Sequence, residues 1–374
     1  MQGGRWRELT ELVNEVLEVP PAQRSGFLDR LCDDDEVLRA ELEALLVAEE
    51  EAGDFLLSPI FSLHDDGPSV DEVGRRIGAY RLLRPLGRGG MGTVWLATRD
   101  DGVFDQEVAI KILKRGMDTD EIVRRFEAER QILASLVHPG IASLLDGGTT
   151  DDGLPYFVME HVDGRPIDVY CAEQGLGVHQ RLELVLEVCE AVAAAHRSLV
   201  VHRDLKPANI LVDREGHLKL LDFGIAKVLG PDDGPQVTQT RRLAPLTPHY
   251  ASPEQLEGGG ITTATDVYAL GVLLYELLTG RRPFEFDAAS PEAAAEVVRS
   301  RQPTRPSTAV VRVSQRSALT EGDEEAPRGT SPPGAPRQLR KALAGDIDTL
   351  VLTAMRKEPE RRFPSVDQFA EDIR

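Results

Sequence analysis

Apolar residues change their spacing along the chain, and each change marks a different kind of structure. Trp6, Leu9, Leu12, Val13, Val16 and Leu17 recur every three or four residues, the period of one helix face, until Pro20 and Pro21 stop the run. Phe27, Leu28 and Leu31 predict a short second helix. Val37, Leu38, Leu42, Leu45 and Leu46 predict a third, entered through Asp33 to Asp35, whose carboxylates suit a helix N-terminus. From Ile77 the texture turns to strands: Tyr80 to Leu86, Thr93 to Ala97 and Glu107 to Leu113 are short and rich in apolar, β-branched and aromatic residues, with glycine-rich and acidic turns between them. A helix is expected over about 119–136, carrying Ile122, Phe126, Ile132 and Leu133, and a further strand over Tyr156 to Glu160. Beyond residue 175 helices dominate, with Leu182, Leu184, Val185, Val188 and Val192 marking 181–199 and a nearly continuous apolar run over 263–279. Val366, Phe369 and Ile373 again have helical spacing, with no cap or stop signal, which leaves open whether the natural chain ends at Arg374 or continues, and only a continuation would bring a membrane tether.

A strand-rich stretch followed by a helix-rich one predicts two lobes. Residues 1–51 read as an acidic helical accessory module and 52–76 as a linker. Residues 301–337, with Pro303, Pro306, Pro327, Pro332, Pro333 and Pro336 among Ser, Thr and charged residues, read as a flexible insert without a packed core. The 374 residues carry a net charge of −20, and residues 1–76 alone, with seven Arg, no Lys and nineteen Asp or Glu, account for more than half of it. So acidic a balance argues against coating nucleic acid, which needs a surplus of cations. The longest mostly apolar run, Val267 to Leu278, falls short of the roughly 20 residues of a membrane span. The N-terminus has no apolar leader, and Cys32, Cys171 and Cys189 are scattered, as expected of reduced thiols in a cytoplasmic protein.

Three constellations carry chemistry. In Gly87-x-Gly89-x-x-Gly92-x-Val94, glycines let a turn bring backbone N–H groups against phosphate oxygens where a Cβ would obstruct. A strand rather than a helix follows, so the dinucleotide-binding pattern does not fit and a β-hairpin lid does. Val108-Ala109-Ile110-Lys111 then sets a lysine in an apolar strand, where it is either a solvated edge charge or a point charge reaching phosphates beneath the glycine loop. Glu129, on the next helix, could hold its ammonium. Finally His202-Arg203-Asp204-Leu205-Lys206-Pro207-Ala208-Asn209 precedes a strand and Asp222-Phe223-Gly224. Asn209 and Asp222 offer the hard oxygens Mg²⁺ prefers alongside nucleotide phosphates, which leaves Asp204 to deprotonate an attacking hydroxyl.

Together these segments resemble the protein kinases, in particular the bacterial eukaryotic-like serine/threonine kinases, over roughly Ile77 to Arg374. The resemblance implies an α+β, bilobal fold with a β-rich small lobe at about 77–160 and a helical large lobe at about 165–374, preceded by the helical module. It implies ATP and Mg²⁺ as cofactors and Ser/Thr hydroxyls of proteins as acceptors. By it, Leu86, Gly87, Gly89, Gly92, Val94, Ala109, Lys111 and Leu211 bind the nucleotide, Met159 is the gatekeeper, and Glu160 and Val162 hold adenine through backbone groups. Lys111 pairs with Glu129, Asp204 is the base, Lys206 stabilises the transferring group, and Asn209 and Asp222 hold the metal. Glu254 and Arg362 match a structural ion pair, and Asp266 a brace for the catalytic loop. Leu246-Thr247-Pro248-His249-Tyr250-Ala251-Ser252-Pro253-Glu254 matches the end of an activation segment, with Leu246 where the family usually has Gly.

By the same resemblance Arg203, beside the base, pairs with a phosphorylated residue of the activation segment, expected at Thr238 or Thr240 by autophosphorylation in a homodimer rather than an exposed unmodified turn, with Thr247 at the substrate-docking loop. A pseudokinase and a small-molecule phosphotransferase are the rival readings. The first is opposed by the full set Lys111, Asp204, Asn209 and Asp222, the second by the extended segment from Asp222 to Glu254.

Overall fold

A computed structural model describes residues 72–89, 92–102, 106–113, 136–223, 248–286, 291–317 and 332–374. The chain divides into two units after Ser58, and all of these residues belong to the second. The helical module, nearly all of the linker, the helix expected over 119–136 (save Leu136), Glu129, Thr238, Thr240 and Thr247 lie outside the described residues.

The small lobe is an antiparallel sheet. It contains β1 (Arg76–Ile77), β2 (Tyr80–Gly89), β3 (Gly92–Arg99), β4 (Glu107–Leu113), β5 (Leu144–Thr149) and β6 (Pro155–Glu160) in the order β1-β2-β3-β4-β6-β5. The three strands expected between residues 80 and 113 are therefore present, and the Gly87-to-Val94 segment is a hairpin with Gly87 opposite Val94 and Gly89 opposite Gly92. Gly92, at φ +155°, has no room for a side chain: a Cβ would sit 2.0 Å from the Ile112 carbonyl oxygen. β5 (LLDGGT) was not legible as a strand. It is a largely exposed edge strand with two glycines, and no apolar period marks it.

A second sheet, β7 (Gly164–Pro166), β8 (Ile210–Asp213) and β9 (Leu218–Leu220), begins the large lobe. The helices there are α1 (Ile167–Glu173), α2 (Val178–Arg197), α3 (Pro253–Glu257), α4 (Thr263–Thr279), α5 (Pro291–Ser300), α6 (Pro306–Ser317), α7 (Pro336–Leu343), α8 (Asp346–Ala354) and α9 (Val366–Ile373). α4 is apolar on nearly every side and accordingly lies in the core, as helices without a polar face must. Thr262 caps its start and Gly280, at φ +67°, ends it. Gly271 lets α8 approach, since a Cβ there would meet Ala354 at 2.8 Å. Arg181 of α2 is fully buried, and its guanidinium donates to the carbonyls of Cys171, Leu176 and Leu277. It thereby closes the ends of α1 and α4. Cys171 and Cys189 are free buried thiols, and burial pushes both up in pKa, Cys171 to about 11, as suits unreactive core groups.

Two expectations need correction. The stretch 301–337 is not wholly an insert without a core: residues 306–317 form α6, with Ser307, Ala309 and Val310 buried. Ser307 donates to Asp348 from both N (2.9 Å) and Oγ (2.6 Å). Pro306 and Pro336, counted above among the prolines of that insert, each stand at the first helical position, where the missing N–H costs nothing. α9 also has a cap: Ser365 Oγ accepts from Gln368 N at 3.1 Å.

Leu199, between α2 and His202, is 93% exposed and held at φ +60°. A left-handed L-residue costs about 1–2 kcal/mol, and glycine's extra unfolded-state entropy returns only about 0.5–1 kcal/mol of that. Leu199→Gly is therefore expected to stabilise the protein by about 0.5–1 kcal/mol, read as a raised urea midpoint. An unchanged or lowered midpoint would show that this backbone is unstrained.

Candidate active site

Lys111 lies on β4, between β3 and β6, opposite Val94 and Phe157. A central strand buries it (8% exposed), so it is not a solvated edge charge. Its ammonium is paired with the Asp222 carboxylate. That is the partner it has among the described residues.

The loop after α2 carries the remaining groups. Asp204 Oδ2 lies 3.0 Å from Lys206 Nζ and 3.0 Å from Asn209 Nδ2, and the same Nδ2 donates to the Asp204 carbonyl at 2.8 Å. With its N–H groups spent on Asp204, the Asn209 amide oxygen remains as an acceptor. The chain is then tied to Asp222 from below: Leu221 N donates to Asn209 O (2.8 Å), and His202 Nε2 meets Leu221 O (2.9 Å). His202 is fully buried and 4.7 Å from the Phe223 ring. Burial pushes its pKa down. The neutral ring can therefore donate from Nε2 while Nδ1 accepts from Asp204 N at 3.3 Å. His202 is a satisfied core histidine that links the two halves of the site.

Arg203 (φ +68°) and Asp222 (φ +54°) are, with Leu199, the non-glycine residues at positive φ among those described. Strain of this kind persists only where the surroundings over-determine it. Asp266, on α4, accepts from His202 N (2.8 Å) and Arg203 N (2.9 Å), while Gln255 Nε2 donates to Arg203 O (2.9 Å). Asp222 Oδ1 is buried and has no hydrogen-bond partner among the described residues. An unpaired carboxylate oxygen is costly unless something outside the chain satisfies it. Together with the Asn209 amide oxygen, it makes a hard-oxygen pair suited to a divalent cation.

At the junction of the lobes, Met159 pairs with Ala109 across β4 and β6, and Glu160 follows it. Glu160 N donates to Ser143 O (2.9 Å), its Oε2 accepts from Ser143 N (3.1 Å), and its Oε1 meets Lys219 Nζ at 2.7 Å. Ser143 and Lys219 gave no sequence signal, because neither lies in a motif and the contacts span 17 and 59 residues. Gly87, Gly89, Gly92 and Val94 lie on the hairpin and Leu86 beside it on β2, whereas Leu211 lies on β8 in the large lobe. Glu254 and Arg362 form a two-pronged pair at 2.7 and 2.8 Å, with Arg362 side-chain atoms fully shielded. Burial alone would raise the Glu254 carboxyl, but hydrogen bonds and charge from Arg362 outweigh it and hold the value below the usual range.

A protein kinase domain model matches residues 80–368. Among curated proteins, the serine/threonine-protein kinase PrkC of Bacillus subtilis is 44% identical over 58% of this chain and 33% of its own length. A probable serine/threonine-protein kinase PknB of Corynebacterium glutamicum is 35% identical over 79% of this chain and 41% of its own. The chain thus spans a third to two fifths of the length of these relatives. The crystal structure of the PknI kinase domain of Mycobacterium tuberculosis superimposes with a TM-score of 0.56 at 26% identity, over 80% of this chain and 96% of that one.

Proposed function

The chain belongs to the protein kinase family, and on that premise we propose that it transfers the γ-phosphoryl group of ATP to Ser or Thr hydroxyls of proteins. The observation that carries this reading is the continuous set of contacts from the Lys111 ammonium through Asp222, Leu221 and Asn209 to Asp204. Family membership brings ATP and a divalent metal. We take the metal as Mg²⁺, held by Asp222 and Asn209, where it would neutralise charge on the phosphates.

The hairpin glycines cover the phosphates, and Lys111 orients the α and β groups once the nucleotide draws it from Asp222. Leu86, Val94, Ala109, Met159 and Leu211 receive the adenine, with backbone groups of Glu160 and Val162 as its hydrogen-bond partners. Asp204 accepts the hydroxyl proton as the acceptor oxygen bonds to the γ-phosphorus and the bond to the β-phosphate bridging oxygen breaks, releasing ADP. Lys206, beside Asp204, is placed to meet the charge on the phosphoryl oxygens during transfer. Little covalent chemistry is asked of the protein, and positioning supplies most of the rate. The same reading makes Glu129 a further partner of Lys111. It makes phosphorylated Thr238 or Thr240 a partner of Arg203, with Thr247 in the docking loop.

The test is transfer of labelled γ-phosphate from ATP to mixed protein substrates, followed by site mapping. Label on Ser and Thr, lost in Lys111→Met, is the expected result. A purified chain that leaves no label on any protein, with ATP and Mg²⁺ supplied, would overturn the proposal.

A further inference from the structure

Lys357 follows α8 and belongs to no part of the site described above. Its ammonium lies 4.4 Å from the centre of the Phe284 ring, beyond the end of α4, and donates to the Val298 carbonyl in the last turn of α5. The Lys357 carbonyl accepts from Arg362 Nη2 at 2.9 Å, which brings a second cation alongside. The acids nearby are engaged elsewhere or face water. Glu254 pairs with Arg362, Glu296 of α5 pairs with Arg299, and Glu358 is exposed. Among the described residues, no carboxylate stands within ion-pair distance of Lys357.

The other described lysines are placed differently. Lys111, Lys206 and Lys219 each face a carboxylate, and Lys341 is exposed on α7. Lys357 is half-buried against a ring and a carbonyl, both neutral. Such a seat replaces only part of the hydration of an ammonium. A cation–π contact contributes about 0.5–2 kcal/mol, whereas burying an ammonium costs several. Burial first, then the Arg362 guanidinium, bring the Lys357 amine down to about 8, against an opposite pull from Glu358. At pH 7 about a tenth of such amines are neutral, against roughly one in two thousand for an ordinary lysine. A neutral amine can keep one N–H on the Val298 carbonyl and still offer its lone pair to an electrophile.

We infer that Lys357 is an acylation site: its ε-amine takes an acyl group from an activated donor, an acyl phosphate or an acyl thioester, and loss of the cation loosens the end of α5. The nitrogen bonds to the carbonyl carbon of the donor. The bond from that carbon to the phosphate oxygen or the sulfur breaks, the leaving group keeps the electron pair, and the amine proton passes to water. The amide formed carries no charge, so the attraction to the Phe284 ring and the charged hydrogen bond to Val298 both end. This goes beyond the kinase reading and does not depend on it.

The full wild-type chain is treated with acetyl phosphate in one arm and with acetyl-coenzyme A in the other, and acetylated lysines are followed by mass spectrometry. Lys341 is the exposed standard within the same molecule. At pH 7 Lys357 is expected to react about 10-fold faster than Lys341. The ratio should narrow above about pH 8, where Lys357 has already lost its proton. A preference in one arm alone supports the site and identifies its donor. A Lys357 rate no higher than that of Lys341 in both arms overturns it. For the consequence, Lys357→Met removes the charge, and amide exchange over residues 298–301 is expected to rise about 10-fold. Unchanged exchange there overturns the loosening of α5. The labelling arms use the wild-type chain, so a variant that fails to fold does not stand between the site and its test. A wild type that transfers no phosphate brings down the kinase reading alone, because neither measurement counts phosphate.

Discussion

Asp204→Asn is expected to lower kcat by about 10²- to 10⁴-fold while KM for ATP stays near the wild-type value. The substitution exchanges one carboxylate oxygen for an NH₂ group and leaves the volume alone. Asn209 Nδ2 still donates to the residue's backbone carbonyl, and Gln255 and Asp266 still hold the loop through Arg203. What disappears is an oxygen able to take the proton of the attacking hydroxyl. The metal-binding oxygens of Asn209 and Asp222 are untouched, so nucleotide affinity is the internal control. Steady-state kinetics with saturating Mg²⁺ and a Ser/Thr peptide, beside calorimetric binding of ATP, separates the two effects. A variant retaining more than about a tenth of wild-type kcat would show that Asp204 is not the base. A variant that loses ATP binding as well would show that the loop has collapsed.

Arg362→Ala carries the largest expected effect on stability. Arg362 gives two hydrogen bonds to Glu254 and others to the carbonyls of Arg356, Lys357 and Ala264, and its guanidinium lies 5.0 Å from the centre of the Tyr268 ring. Removing it leaves a buried carboxylate and several carbonyls without their donor, which costs about 3–5 kcal/mol. For a domain of this size that is a fall in Tm of about 10 °C. Arg362→Lys keeps the charge but not the planar fork, and is expected to fall between the two. Glu254 titrates lower folded than unfolded, so the pair's contribution is complete above the unfolded carboxylate range and is lost as pH falls through the depressed folded value. Without the arginine, burial acts on Glu254 against only the remaining hydrogen bonds from Thr265, Ser252 and the backbone, and protonation relieves it. The difference in stability between wild type and Arg362→Ala should therefore narrow on acidification. Denaturant unfolding at several pH values measures this, and a constant difference would mean that Glu254 is not the group concerned.

The pair was legible in the sequence only by resemblance, since 108 residues separate its members. Strand and helix identities were legible from pattern wherever one face is buried. β2 and α2 have that character, and β4 and α4 were legible as nearly continuous apolar runs, buried almost throughout. β5 lacks it, having neither apolar period nor burial. The prolines at 306 and 336 show the limit of reading by residue type. Proline breaks a helix interior but starts a helix equally well, and packing of Ser307 on Asp348 and burial of Leu339 and Leu343 decide which.

By itself the sequence determined the chemical inventory: a glycine hairpin, a lysine on an apolar strand, and two carboxylates with an amide in short motifs. These follow from local spacing, because each motif is held within a few residues of chain. Tertiary structure alone decided which groups meet. Lys111 reaches Asp222, Glu160 reaches Lys219 and Ser143, and Asp266 holds the strained Arg203. Partners brought together across many residues leave no period in the chain. The positive φ angles at Arg203 and Asp222 are not local preferences but conformations that distant hydrogen bonds impose.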